Sequence, residues 1–237
     1  MASLSCFPLV LQLLVVVSAD WNAVDGILYR FQYTPKTLQW ESFSHPIPVT
    51  LGKQGMAWGR GLIDLDDEKG AHKKEGDQKA PAGLFSLGPI FGDALHQSYA
   101  KNMPFLLITD DLECIDDSHS VYYNQLVNTN SILKQDWKSS EKMKEMGFLY
   151  AIGMVIQHNV HPVKPEMGSA IFMHVWRNKG MGTAGCTAMK EDDLKEIVEW
   201  LDISQQPSLI QLPMEEYISK QAQWGLPELP QHSDKYL

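Results

Sequence analysis

The sequence predicts a mostly β domain with a few peripheral helices. Short segments with partial apolar–polar alternation recur along the chain, turn-rich stretches separate them, and only two segments carry a helical period. At 44% hydrophobic residues the chain can bury a proper core, unlike a disordered or fibrous protein. It holds no internal repeat and no low-complexity tract. The net charge is −9 and the Lys and Arg residues are scattered. A nucleic-acid partner would demand clustered basic residues to meet phosphates, so nucleic acid is not expected.

The N-terminus reads MASLSCFPLVLQLLVVVSAD. An apolar run from Phe7 to Val17 precedes the small-residue pattern Val17-Ser18-Ala19. That predicts a secretory signal peptide over residues 1–19, cut before Asp20, and a secreted or extracytoplasmic protein. The other reading of the run is a buried N-terminal strand or helix. It is too short to span a bilayer, which takes ~20 residues, and no other stretch is apolar enough.

ILYRFQY (27–33), TLQWESF (37–43) and GLIDL (61–65) read as strands. DDEKGAHKKEGDQKAPAGLF (66–85) is charged and rich in Gly and Pro, which predicts a long surface loop. PFLLITDD (104–111) and LYAIGMVIQHN (149–159) are further strand candidates. SAIFMHVW (169–176) combines aromatic and β-branched residues, and strand alternation puts Ala170, Phe172, His174 and Trp176 on one face. In MKEDDLKEIVEWLD, Leu194, Ile197, Val198 and Leu201 fall at i, i+3, i+4 and i+7, an amphipathic helix. Its acidic start, Glu191 to Asp193, suits a helix N-terminus. MEEYISKQAQW predicts a second short helix. Pro227 and Pro230 mark the end of the ordered body, giving one domain over 20–227 and a tail over 228–237.

Cys186 therefore sits on a loop between a strand and a helix, where rigid elements on both sides can position it. A thiol becomes a good nucleophile when it ionises, and a neighbouring imidazolium or a helix N-terminus favours that. His174 is placed to supply the first and the helix near Lys190 some of the second. The small neighbours Ala184, Gly185 and Thr187 admit a substrate carbonyl, and the backbone at Gly185 and Cys186 is placed to receive an oxyanion. That set suits acyl transfer through a thioester. Each piece alone also has a structural reading: a packed core histidine, or an inert buried cysteine. With the signal removed, the two remaining cysteines, Cys114 and Cys186, form either one disulfide or a free nucleophile and a bystander. His158 and His161 have H-x-x-H spacing, but Pro162 follows and the segment reads as strand end and turn, so no metal is expected. No cofactor is expected either.

GSAIFMHVW, GMGTAGCTAM, KEGDQKAPAG and DDLECIDDSHSVYYNQLV occur together in this order-preserving set of blocks. Jointly they resemble the L,D-transpeptidase family (YkuD domain), in particular its stand-alone secreted branch, over about residues 40–227. The tail pieces LIQLPMEEY and WGLP fit that branch too. The resemblance implies a mixed-sheet, sandwich-like β fold, Cys186 as nucleophile, and His174 as base, oriented by a backbone carbonyl. It implies peptidoglycan stem peptides as substrate. The thiolate attacks the carbonyl joining an L-centre to a terminal D-residue, and an amine of another stem, or water, takes the acyl group. Two departures stand out: Ala184 replaces a histidine that most members carry, and Ala188 an Asn or Arg. The spacing from His174 to Cys186 is also shorter than common.

Asp116, Asp117, Tyr122 and Asn124 are candidates to hydrogen-bond the polar stem or to fix their own loop. Thr183 lies near the nucleophile, and Arg177 could meet a substrate carboxylate bidentately. The leading expectation is a transferase. A hydrolase, either an L,D-carboxypeptidase or a crosslink-cutting peptidase, would use the same thioester. A non-catalytic wall-binding module is the reading that a Cys114–Cys186 bridge would favour.

Overall fold

A computed structural model describes residues 10–230. Residues 1–9 and 231–237, the outer parts of the expected signal peptide and tail, lie outside the described residues. The body is built from β1 (Gln12–Ser18), β2 (Asp25–Thr34), β3 (Gln39–Thr50), β4 (Met56–Trp58) and β5 (Ala80–Gly92). The short strands β6 (Phe105–Leu107), β7 (Leu112–Ile115), β8 (Leu126–Asn128) and β9 (Ser140–Lys142) follow. Then come β10 (Ile152–Ile156), β11 (Phe172–Val175) and β12 (Thr187–Met189), the helix α1 (Glu191–Trp200), β13 (Ser208–Pro213) and the helix α2 (Met214–Trp224). The fold is mostly β with a mixed sheet, as the sequence predicts.

The main sheet runs β10-β11-β12-β3-β2-β1-β13-β5-β4, with β6 beside β5. It closes on itself through β5. The first part of that long strand pairs with β4 and β13, and the second part, Leu87 to Gly92, pairs with β10. One strand thus joins both layers of the sandwich, and it is buried along almost all of its length. β8, β7 and β9 form a separate three-stranded antiparallel sheet.

The helices follow the sequence pattern. Leu194, Ile197 and Val198 are the buried face of α1, and α2 covers MEEYISKQAQW. The GLIDL segment forms no strand. The charged stretch after Asp66 is irregular only as far as Lys79, because residues 80–85 open β5. They are buried in the sheet itself rather than exposed on a loop.

The N-terminal expectation is corrected. Residues 12–18, QLLVVVS, are a central strand, antiparallel to β2 and parallel to β13. Leu14, Val15, Val16 and Val17 are fully buried. A strand covered on both faces reads as a continuous apolar run, and so does the core of a signal peptide. The fold chooses the first. The domain includes β1, and cleavage before Asp20 would leave β2 and β13 with no strand between them.

A variant lacking residues 1–19 is therefore expected to lose cooperative unfolding in urea. Val15→Asp, which buries an unpaired carboxylate, is expected to cost at least ~3 kcal/mol. Intact-mass analysis of folded protein should find β1 still attached.

Candidate active site

β11 and β12 are neighbours and parallel, with Met173 opposite Thr187 and His174 opposite Ala188. Strand alternation then gives Phe172, His174 and Ala188 one face, and Cys186, one residue before β12, shares it. Phe172 and His174 both meet the Tyr150 ring edge-on, at 5.7 and 5.3 Å between centroids. Cys186 belongs to the same buried cluster, with Phe91, Cys114, Tyr150 and Phe172. On the other side of β11, Gly153 of β10 stands opposite His174. A Cβ there would lie 2.4 Å from the Phe91 ring and 2.8 Å from the Met173 carbonyl oxygen, so glycine is required for β10 to pack this close.

Cys186 is 7% exposed and His174 8%. The imidazole Nδ1 lies 2.8 Å from the Val175 carbonyl oxygen. A carbonyl only accepts, so Nδ1 carries the proton and Nε2 is left as the basic nitrogen. This is the backbone-carbonyl orienter that the resemblance implies. The sulfur accepts from the Phe172 N–H at 3.3 Å and donates to the Ala170 carbonyl at 3.4 Å.

The electrostatics differ from the expectation of a thiolate beside an imidazolium. Burial lowers the His174 pKa to about 4, against the opposing effect of the Val175 carbonyl. Burial, and after it the Glu141 carboxyl, push Cys186 up to about 12, while the Phe172 N–H and Lys73 act the other way. At neutral pH both groups rest uncharged. Nor does α1 help. It begins at Glu191, with all of β12 in between, ~10 Å of extended chain, and a helix terminus acts only over its own first turn.

The loop before the nucleophile is held by its own bonds. Thr183 Oγ1 donates to the Cys186 carbonyl at 2.6 Å and accepts from the Gly185 N–H at 3.1 Å. Gly185 has φ +148°, and a Cβ on it would meet the Lys79 carbonyl at 3.0 Å. Its conformation is therefore open to glycine alone, but its N–H is already committed to Thr183.

A family model for the L,D-transpeptidase catalytic domain (YkuD) matches residues 43–210, well over half of the chain. The chain belongs to that family. Its members act on peptidoglycan peptides. No curated protein matches the chain. Among solved structures, the helical cell shape determining protein Pgp2 from Campylobacter jejuni is similar at a TM-score of 0.40 and 12% identity. That match covers 85% of this chain and 47% of the other, so this chain spans about half of its length.

The remaining candidates of this L,D-transpeptidase domain fall into two groups. Asn124, with φ +60°, has its polar atoms committed: Oδ1 accepts from the Ala170 N–H, and Nδ2 donates to the carbonyls of His158 and Asn159. It holds the residue that holds the thiol. Asp117 accepts from the N–H groups of His119 and Lys138 and fixes its turn. Tyr122 packs edge-on against Trp137 in a satellite core. Asp116 is different: its Oδ1 is buried and has no hydrogen-bond partner. Arg177 is exposed, just past β11. His158 is a structural histidine, accepting from the Arg60 N–H and donating to the Met167 carbonyl, and His161 forms no metal cluster with it among the described residues. Both cysteines are free thiols, so the bridge that would favour a non-catalytic module is not formed.

Sequence reasoning did not single out Lys73, Glu75, Tyr123, Glu141, Tyr150 or Ser169. Glu75 accepts from the hydroxyls of Tyr123 and Ser169, and Glu141 from that of Tyr150. A cavity of about 340 Å³ has Cys114, Asn124, Ile171 and Phe172 in its wall.

With Cys6 and Cys114 replaced by Ser, the rate at which iodoacetamide alkylates Cys186, followed by mass, is expected to be low at neutral pH and to keep rising through about pH 10 without a plateau. His174→Ala should leave that rise in place, because no resting ion pair is lost.

Proposed function

We propose that the protein is a cysteine acyltransferase that acts on peptidoglycan stem peptides through a thioester at Cys186. One observation carries the reading: a buried thiol and a buried imidazole share one face of two paired strands, and the Val175 carbonyl fixes the imidazole tautomer. Family membership supplies the substrate class.

The uncharged resting pair dictates how the thiol attacks. Burial holds the proton on sulfur and keeps the imidazole neutral, so moving the proton to Nε2 ahead of attack is uphill. Proton transfer therefore accompanies attack, with His174 as general base. Sulfur bonds to the carbonyl carbon, the carbonyl oxygen takes the negative charge, and the Cys186 N–H is the loop donor left to receive it. Collapse breaks the amide bond. His174 returns its proton to the departing amine of the D-residue, and a thioester remains. An incoming amine loses its proton to His174 as it attacks, and the thiol is regenerated.

The acceptor carries an amine that is cationic until it reacts. The unpartnered Asp116 Oδ1 suits it, since a buried carboxylate oxygen without a donor gains most from an ammonium. Exposed Arg177 is the group available to a donor carboxylate. Stem peptides lie outside the cytoplasmic membrane, so the proposal includes an extracytoplasmic location. That location rests on the substrate and not on the N-terminal segment.

Incubation with tetrapeptide muropeptides, with products identified by mass, tests the reading. Crosslinked dimer and released D-residue are expected. Cys186→Ser should abolish turnover, and His174→Ala should lower it by roughly 10²–10⁴-fold. Added salt should lower the dimer-to-tripeptide ratio by screening acceptor attraction. Tripeptide alone under every condition would replace transfer by hydrolysis, and no reaction at all would reject the substrate class. The acid limb of kcat/KM is expected near pH 4, where His174 takes its proton, rather than near the ordinary imidazole value.

A further inference from the structure

Lys73 is 4% exposed, in a segment whose composition reads as solvated loop. Burying an ammonium is costly unless it is paired, and this one is. Its Nζ donates to Asp77 Oδ1 at 2.6 Å and to the Lys74 carbonyl at 2.9 Å. An ammonium has three N–H donors, so one remains. The stem of the side chain lies across the two glycines that flank the site. Cε is 3.7 Å from where a Cβ of Gly185 would stand, and 3.3 Å from that of Gly168, just ahead of Ser169 and Ala170. A Cβ on Gly168 would also stand 3.0 Å from Lys73 Cγ, so the missing side chain there is what lets the stem lie this close, while Gly185 meets it at ordinary contact distance.

Resting on Cys186 as nucleophile, we propose that Lys73 is the cation that stabilises negative charge on the Cys186 sulfur as it attacks. Glu141, on β9, opposes it, and Tyr150, Cys114 and His174 are the other ionisable groups around the sulfur. Asp77 does not cancel the effect. Asp77 offsets part of the ammonium's field, and Lys73 still favours the charged form of Cys186. The Asp77 carboxylate is turned to the N–H groups of Lys74 and Lys79 and to Lys73 itself. The ion pair anchors the ammonium beside the Cys186 loop. Lys73 acts through Cys186 and needs no contact with substrate.

The test is the rate at which iodoacetamide alkylates Cys186 across pH 7–10, in full-length protein carrying Cys6→Ser and Cys114→Ser. It uses no peptidoglycan, so its failure is distinct from failure of the substrate reading. An opposite charge at close range shifts a titration by one to three units. The intrinsic reactivity of a thiolate recovers about half of such a change on a logarithmic scale. Lys73→Met is therefore expected to slow alkylation by roughly 3–30-fold throughout the range. Lys73→Arg should restore the rate to within about twofold, and Glu141→Gln should raise it. Thermal melts check that each variant is folded. Lys73→Gln, which keeps a donor for the Asp77 carboxylate, and Lys73→Met/Asp77→Asn, which leaves no unpaired charge, repeat the test if Lys73→Met melts early. A folded, charge-free variant that alkylates within twofold of the parent would overturn the proposal. So would a slowing that Lys73→Arg does not rescue, because that is the signature of a purely structural role.

Discussion

A parallel strand cannot follow its neighbour through a tight turn, so the chain between Val175 and Thr187 must travel back along the sheet before it can pair again. Here no helix makes the return. The loop does it alone, tied at its far end by the bonds of Thr183 to Gly185 and Cys186 and by its pairing with Gly52. That constraint delivers Cys186 to the entry of β12, level with the start of β11, where its sulfur reaches the Phe172 N–H. The register that follows puts His174 on the same face. Past the cysteine, Thr187 is buried and donates to Gln211 Oε1 on β13, which locks β12 to the far side of the sheet. The site is thus a consequence of strand order, and its precision comes from the core.

Burial sets the chemistry. Desolvation moves thiol and imidazole in opposite directions, and both moves favour the neutral forms. A resting ion pair would demand a wetter or more cationic site. A neutral pair suits an enzyme whose nucleophile must survive between substrates, since a neutral thiol is slow to oxidise or alkylate. The barrier is then lowered only when a substrate carbonyl is present to take the charge, and a cation already beside the loop contributes most at that moment.

Much of this was legible in the sequence where a period or a motif carried it. The heptad-like spacing of Leu194, Ile197 and Val198 gave α1, and the alternation through Phe172 and His174 gave β11. The blocks around TAGC and HVW pointed to the family, and the family match bears that out. What was illegible has a physical cause in each case. β1 was read as a signal peptide because a strand buried on both faces has no alternation to betray it. Lys73 reads as loop surface because the close approach that buries it is to Gly168, remote in sequence. Asn124 reads as a substrate contact or as a fixer of its own loop, and Thr183 as a substrate contact, because nothing in a sequence tells whether an amide or hydroxyl is already bonded to backbone.

The same distinction explains the strained backbone around the thiol. Asn124, Asn159 and Ala170 all have φ between +50° and +60°, a region that asparagine tolerates and alanine does not favour. Holding a non-glycine residue there costs ~1 kcal/mol or more, and it persists only where surrounding bonds over-determine it. They do so here. Ala170 donates its N–H to Asn124 Oδ1 and accepts the Cys186 thiol on its carbonyl, while Asn159 is pinned through its side chain to Lys164 and Gly168. The reverse turn of the backbone at Ala170 points its carbonyl at the sulfur and sends the next N–H groups along β11. An extended residue in that place would carry the carbonyl away from Cys186. The strain is therefore localised at the one residue that connects the polar network on Asn124 to the nucleophile, and a small side chain there limits its cost.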